Sequence, residues 1–490
     1  MHARSVHGLL EGSAAEFAER TFIVHEDERA SYREIDARAN RLARLLRERG
    51  VEPGDRVLVL ATNSSFAVVA GYAAMKAGAV SVPLNAQAPV EAVERARADC
   101  GARLLLADLR STRTATQVTG VEAIVAPELD GLDATPLRLD VSEHDLAAII
   151  YTSGSTGAPR GVMLSHANIL ANTASILEYL GISETDRVLA LLPFSYVYGM
   201  SVLNTHCAAG AAVVIENRFA FPNTALDTLE REGCTTLPGV PSTFAILLNR
   251  STFAERELTS LRTITQAGGP MAPELTRRLR AACPQARLFV MYGATEASAR
   301  LAYLDPAQLD ERLGSIGKAI PGVELRVLRA DDSEAADDEV GELVARGENI
   351  MRGYWGAAEE TAAVLGPEGY RTGDLARRDA DGYLWITGRA RDMIKAGAHR
   401  IAAREIEDAV LTFEGVHETA VIGVPDELLG EAIRAYVVFR GEPETGELER
   451  HLKRVLPAYK VPTQLEVLTE LPKNLSGKID KQALRGLAGV

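Results

Sequence analysis

Cysteine is scarce and scattered: Cys100, Cys207, Cys234 and Cys283 form no C-x-x-C pair. That excludes a disulfide framework and a structural zinc site, and it fits a reducing compartment. The nine histidines are equally dispersed, with no H-E-x-x-H. No stretch reaches about 18 uninterrupted apolar residues, because Lys76 interrupts the best candidate at 66–82. The opening Met1-His2-Ala3-Arg4-Ser5 lacks the apolar core of a secretory signal. Positive charge is in deficit, 53 Lys and Arg against 67 Asp and Glu, a formal charge of −14. Such a balance does not hold nucleic acid or an anionic membrane by bulk charge, but it leaves room for a local basic pocket that takes a small anion. Internal repeats and low-complexity tracts are absent as well. The expectation is a soluble cytoplasmic enzyme, monomer or homodimer, with no nucleic-acid or membrane partner.

What is present is core material. Apolar residues make up 47% of 490 residues and charged residues 24%, enough for one large α/β unit with an appendage. Ser31 and Glu34 form a capping-box signature, followed by Ile35, Ala39, Leu42, Leu45 and Leu46 at helical spacing and by Gly50 as a stop. Residues 57–60 and 80–84 predict buried strands around an apolar helix at 65–77, and the pattern returns at 103–107, 147–151, 187–192, 211–215 and 287–291. Continuous rather than alternating apolarity predicts parallel strands covered on both faces. From about 320 to 388 short alternating strands predict a small β subdomain. The acidic run within 331–339 reads as a regulatory surface or, more simply, as a solvated hairpin loop. The last hundred residues predict a small, mobile α+β domain, with the boundary in the charged segment 388–392. The division expected is a large multi-layer α/β domain over 1–390 and a small domain over 391–490.

One loop carries the first chemical signal. An apolar strand runs into Thr152-Ser153-Gly154-Ser155-Thr156-Gly157-Ala158-Pro159-Arg160-Gly161. Glycines let successive N–H groups form an anion nest, hydroxyls add donors, and Arg160 adds a bidentate charge. It is not a Walker loop, since Pro159 stands five residues after Gly154. On composition alone a mobile surface loop remains the plain alternative.

The loop resembles the phosphate-binding signature of the adenylate-forming superfamily: acyl- and aryl-CoA synthetases, peptide-synthetase adenylation domains and firefly luciferase. Arg160 stands where Lys is usual; charge is kept but geometry changes. Six further segments resemble that family in its own order: Gln266-Ala267-Gly268-Gly269-Pro270, Tyr292-Gly293-Ala294-Thr295-Glu296, Gly341-Glu342-Leu343 with Gly353-Tyr354-Trp355, Tyr370-Arg371-Thr372-Gly373-Asp374, the hinge region from Gly388-Arg389 to Glu407, and Leu471-Pro472-Lys473-Asn474 with Ser476-Gly477-Lys478-Ile479-Asp480.

The resemblance implies roles for ATP, Mg²⁺ and CoA or a carrier-protein phosphopantetheine. Glu296 would hold Mg²⁺, Thr295 would bond the α-phosphate, and Tyr292 would lie against adenine, with a surface carboxylate and a structural tyrosine as the plain readings. Gly268, Gly269, Pro270, Gly293 and Ala294 would line the nucleotide site. Asp374 and Arg389 would take the ribose. Lys478 would bridge the acid and the α-phosphate, though Ser-Gly-Lys alone is an ordinary turn. Arg391 stands at the hinge, where Asp or Lys is usual. Gly397 and Ala398 would line the thiol-acceptor path, and relatives usually carry Gly where Ala398 stands.

The acyl pocket implied by the resemblance is walled by Tyr196, Tyr198, His206, Val240, Ser242 and Gly268. His206 reads equally well as a packed core residue. Tyr196 stands where amino-acid-activating relatives carry Asp, and a phenol does not neutralise an α-ammonium. The expected activity is therefore ATP-dependent ligation of a small or medium aliphatic or aromatic acid to CoA through an acyl-AMP. The alternatives are a stand-alone enzyme that loads a carrier protein, a luciferase-like monooxygenase, and a nucleotide-binding relative without catalysis.

Overall fold

The computed structural model describes residues 3–152, 159–396, 399–426, 430–473 and 479–489, apart from the side chains of Arg391, Lys395, His399 and Arg400. By packing the chain divides into two compact units. The first comprises Met1–Leu313, Gly317–Leu325 and Ala345–Tyr370; the second comprises Gly314–Ile316, Arg326–Val344 and Arg371–Val490.

Local signals act where they are expected. Ser31 accepts from the Glu34 amide and Glu34 returns a bond to the Ser31 amide, so the helix Tyr32–Glu48 starts on a complete capping box. The run at 57–60 becomes the strand Arg56–Ala61, whose inner four residues are all buried. It pairs in parallel with Val80–Asn85 and Leu104–Ala107. These strands belong to a seven-stranded sheet in the order Gly353–Tyr354, Arg160–Ser165, Leu146–Thr152, Val80–Asn85, Arg56–Ala61, Leu104–Ala107 and Glu122–Val125. Leu58, Leu60, Val82, Leu105 and Ile149 meet in its core.

A second sheet in the same unit has nine strands. Its inner part runs Arg287–Tyr292, Thr263–Gln266, Thr236–Gly239, Arg187–Ala190, Ala212–Ile215 and Thr21–His25, all parallel. The loops after four of these strands, 191–196, 240, 267–272 and 293–294, therefore leave one carboxyl edge, the place where open parallel sheets bind ligands. The strand Gly369–Arg378, which enters the second unit at Arg371, pairs with Leu384–Arg389, and within that unit Val416–Asp426 pairs with Gly430–Phe439 above the helix Ala403–Leu411. Ile394, Ile406, Val421, Ile433 and Leu448 fill that core.

The acidic run is a loop clasped by arginines: Arg329 pairs with Glu339, Arg371 with Asp332, Arg377 with Asp338 and Arg378 with Glu334. Lys76, the charge that interrupts the longest apolar stretch, is buried and bonds Glu11 at 2.6 Å and Asp36 at 2.9 Å. Among the described residues no helix is long and apolar enough to cross a membrane. All four cysteines are free and buried.

Two expectations follow. Lys76→Ala should lower the unfolding free energy by about 2 kcal/mol, because it strands Asp36 and Glu11 beside apolar neighbours. Arg33→Ala, which breaks an ion pair exposed on both sides, should cost less than about 0.5 kcal/mol; comparison of the two thermal midpoints checks both.

Burial holds the His166 imidazole down at about 3 and that of His7 at about 4. His166 Nδ1 accepts from the Val6 amide at 3.0 Å, which requires an unprotonated nitrogen. The unfolded chain binds these protons at the ordinary value of 6.5, so stability is complete above pH 6.5 and falls as pH drops toward 4. His166→Asn should flatten that slope in melts recorded from pH 7 to 4.

Candidate active site

The loop 293–300 starts from the strand Arg287–Tyr292 and folds back at once. The Leu301 amide returns to the Tyr292 carbonyl at 2.9 Å. A Cβ at Gly293 would lie 1.8 Å from the Ala299 carbonyl oxygen, so only glycine permits this closure. Within the loop Thr295–Ala297 makes one 3₁₀ turn, and Ser298 adopts φ 56°. A buried amide network clamps it. Asn349 Nδ2 donates to the carbonyls of Ala297 and Arg300, both at 3.0 Å, and Asn172 Nδ2 donates to Arg300 O at 2.9 Å. Ser298 Oγ donates to Asn349 O at 2.8 Å. The Met351 amide reaches Glu296 O at 2.8 Å.

This clamp fixes the Glu296 carboxylate at the meeting of the two large sheets. Tyr354, on the short strand beside Arg160–Ser165, donates its hydroxyl to Glu296 Oε1 at 2.9 Å. Burial, and then the neighbouring carboxylate, push the Tyr354 phenol up, so it stays protonated and donates. The Arg160 guanidinium lies over the Tyr354 ring, 5.3 Å from its centroid. Arg160 is opposite Thr152 across the strand pair, at the two ends of the glycine loop. Thr152, Arg160, Tyr292, Gly293, Ala294, Thr295 and Glu296 thus share one neighbourhood. Ser153, Gly154, Ser155, Thr156 and Gly157 lie outside the described residues.

A hard cation would suit Glu296. One carboxylate oxygen accepts the Tyr354 hydrogen bond, and among the described residues nothing bonds the other. A single carboxylate completed by phosphate oxygens is ordinary magnesium chemistry. Among the described residues no cluster of three or more acidic, His or Cys side chains competes for a metal.

The acyl-side residues gather at the same carboxyl edge, with one exception. Asn63 anchors the entry segment by donating to Leu192 O and accepting from the Phe194 amide, both at 2.8 Å. Tyr196 caps the helix Val197–Ala208, and Tyr198 lies inside its first turn. Gly268, at φ +84°, faces Val240, and a Cβ there would approach Val240 Cγ1 to 3.1 Å. Ser242 lies in the first turn of the helix Pro241–Arg250, and the Gly269 carbonyl accepts from Gln266 Nε2 at 2.8 Å. Pro270 is exposed beyond it.

His206 is not with them. It lies in the last turn of Val197–Ala208, a helix whose first turn holds Tyr198, and it is buried with Nδ1 on the Val202 carbonyl at 2.8 Å. At about 1.5 Å per residue that places it more than 10 Å along the helix from Tyr198. Burial holds its imidazole at about 4. Its burial fits the core reading that its sequence offered beside the pocket wall. A cavity of about 700 Å³ beside Cys283, Arg287 and Leu288 opens at the amino end of the strand Arg287–Tyr292, at the edge away from this loop.

In the second unit Asp374 and Arg389 face each other across paired strands. Arg389 Nε donates to Asp374 Oδ1 at 2.8 Å, and Asp374 is buried while Arg389 is half exposed. Arg391 lies in the turn Ala390–Asp392. Lys478, Gly397 and Ala398 lie outside the described residues. Lys473 and Ile479, which flank the Lys478 segment, bridge antiparallel, and Asp480 caps the helix Lys481–Leu487.

Sequence reasoning quoted Tyr354 within a motif but gave it no role, and it passed over Asn63, Asn172, Asn349 and Arg300. Only Tyr354 had a signal, its place in the G-Y-W segment.

Comparison with known proteins agrees with this geometry. Residues 10–355 match the AMP-binding enzyme family, and residues 405–478 match the AMP-binding enzyme C-terminal domain. The chain is 35% identical over 476 residues to a feruloyl-CoA synthase of Amycolatopsis sp, covering 95% of each. It is 32% identical over 490 residues to the indoleacetate–CoA ligase of Aromatoleum aromaticum, covering 96% of this chain and 95% of that one. The o-succinylbenzoate CoA synthetase of Bacillus subtilis, solved with its acyl-adenylate intermediate, superposes with a TM-score of 0.89 at 30% identity over 97% of both chains. The same enzyme has been solved with ATP and a magnesium ion. With both family segments matched and relatives above 30% identity over nearly its whole length, the chain belongs to the AMP-binding enzyme family.

Proposed function

We propose that this protein is an ATP-dependent carboxylic acid–CoA ligase that works through an acyl-AMP. The observation that carries the reading is the Arg160–Tyr354–Glu296 junction beside the glycine loop. In the first step a carboxylate oxygen of the acid attacks the α-phosphorus of ATP, the P–O bond to the β-phosphate breaks, and pyrophosphate leaves. In the second the thiol of CoA, giving up its proton, attacks the acyl carbon; the C–S bond forms and AMP leaves.

Two anions must meet in the first step, so rate depends on positive charge placed where charge accumulates. Arg160 supplies one guanidinium at the end of the phosphate loop. Glu296 would hold Mg²⁺, which neutralises phosphate oxygens when bound. Thr295 Oγ1 forms no hydrogen bond among the described residues and is assigned to the α-phosphate. Tyr292 is assigned to adenine, with Gly268, Gly269 and Pro270 along the nucleotide and acyl walls. Asp374, held by Arg389, is assigned to the ribose hydroxyls, a task for an acceptor-only carboxylate.

Lys478 is assigned the bridge between the acid and the α-phosphate. The small domain over 391–490 would deliver it by turning about Arg391, and would then open the thiol path by Gly397 and Ala398. Tyr196 in place of an acidic group favours acids without an α-ammonium, small or medium, aliphatic or aromatic. CoA is preferred to a carrier-protein arm because the relatives described above are CoA ligases by name over nearly their full length. Four reduced, buried cysteines and the use of ATP and CoA support a cytoplasmic location.

ATP–pyrophosphate exchange over a panel of acids tests the reading, and no exchange above background with any acid would remove it. In that assay Glu296→Gln should lower kcat/KM by about 10²–10³-fold with a raised magnesium requirement. Tyr354→Phe, which only frees the carboxylate to turn, should cost about tenfold. Lys478→Ala should suppress exchange by about 10²–10³-fold while thioester formation from supplied acyl-AMP changes much less. Mass spectrometry of the product then tells acyl-CoA from an acylated carrier protein.

A further inference from the structure

Arg300 ends the clamped loop, and its side chain is buried at 3% exposure. Its guanidinium lies over the Tyr198 ring, 4.0 Å from the centroid. Nε donates to Met291 Sδ at 3.4 Å and Nη1 to the Ala299 carbonyl at 3.2 Å. Thioether sulfur is a weak acceptor, and the Tyr179 hydroxyl already donates to the same atom at 3.0 Å. Among the described residues no carboxylate pairs with Arg300, and its polar neighbours, the Tyr179 and Tyr198 hydroxyls included, are uncharged. Elsewhere in this unit the buried cation Lys76 has two carboxylates. A buried charge without a counterion is among the most costly placements a fold can make.

The surroundings give the charge a direction. Tyr198 cannot swing away, because its hydroxyl donates to Thr265 O at 2.8 Å and shares a 3.0 Å bond with Thr265 Oγ1. Thr265 is the third residue of the strand Thr263–Gln266, which leads straight to Gly268. The ring and the guanidinium stacked on it therefore stand near the carboxyl edge that also carries Tyr196, Val240 and Gly268. A planar fork held flat against an aromatic ring presents its remaining N–H groups edge-on, the orientation that suits an oxyanion.

We infer that Arg300 reads a second oxyanion on the acid, so that the preferred substrate is a short dianion. Its reacting carboxylate faces the nucleotide, and its far carboxylate or sulfonate takes the place of the missing counterion. This rests on the ligase reading above and narrows its substrate class.

ATP–pyrophosphate exchange with matched pairs tests it: glutarate against pentanoate, 3-sulfopropanoate against butyrate, and 2-carboxyphenylacetate against phenylacetate. The wild-type enzyme should favour the dianion of at least one pair by about 10²-fold in kcat/KM, since a site built for a polar group rejects the analogue that lacks it. The pair that shows the preference tells carboxylate from sulfonate. Arg300→Leu should abolish the preference, bringing kcat/KM for the dianion down to that for the monoanion. Arg300→Lys, which keeps charge without the fork, should retain a reduced preference through a raised KM. If Arg300→Leu does not fold, the wild-type ratios and Arg300→Lys still decide. Equal use of both members of every pair would overturn this inference and leave the ligase reading standing; exchange with no acid would overturn both.

Discussion

A single hydrogen bond, from the Tyr354 hydroxyl to Glu296, joins what the rest of the large unit arranges. Tyr354 belongs to the edge of the seven-stranded sheet and Glu296 to a loop at the carboxyl edge of the nine-stranded one. This junction brings Arg160, at the end of one sheet's strand pair, together with the acidic turn that leaves the other, the two parts of the proposed ligand site. The bond, 2.9 Å long and partly buried, is backed by a phenol that burial keeps protonated. The asparagine clamp behind it removes the loop's remaining freedom, as preorganised charge stabilisation requires.

Electrostatics work locally in this chain. A net charge of −14 would oppose the approach of nucleotide and acid if it were spread evenly. Much of the acidic surface is instead spoken for: the run over 331–339 is clasped by Arg329, Arg371, Arg377 and Arg378, and Glu232 gathers Arg29, Arg187 and Arg231. Arg160 and Arg300, by contrast, lie over the aromatic rings of Tyr354 and Tyr198.

The fold was legible where a signal was local and long. The capping box at Ser31 and Glu34, the parallel strands from 57 to 107 and the α+β character of the last hundred residues can all be read from patterning. The four-residue strands Thr236–Gly239 and Thr263–Gln266 were not, because Pro238, Gly239 and two threonines carry no apolar run; sheet pairing, not propensity, makes them strands. His206 could be read either as pocket wall or as core, because a motif's neighbourhood in sequence ignores the rise of the helix that separates it from Tyr198. Tyr354 and Asn349 acquire meaning only from partners more than fifty residues away, a relation no local pattern encodes.

Gly293 closes its loop backbone to backbone, with the Ala299 carbonyl occupying the space a side chain would need. Turn geometry is thereby decoupled from turn chemistry. Gly293 and Arg300 stand side by side at the hairpin's base: the first position has no room for a side chain, whereas the second turns its side chain into the protein interior. Exchange at residue 300 therefore alters what lines the loop's flank without touching the backbone closure that shapes the turn at Glu296, which makes it a natural entry point for redesign.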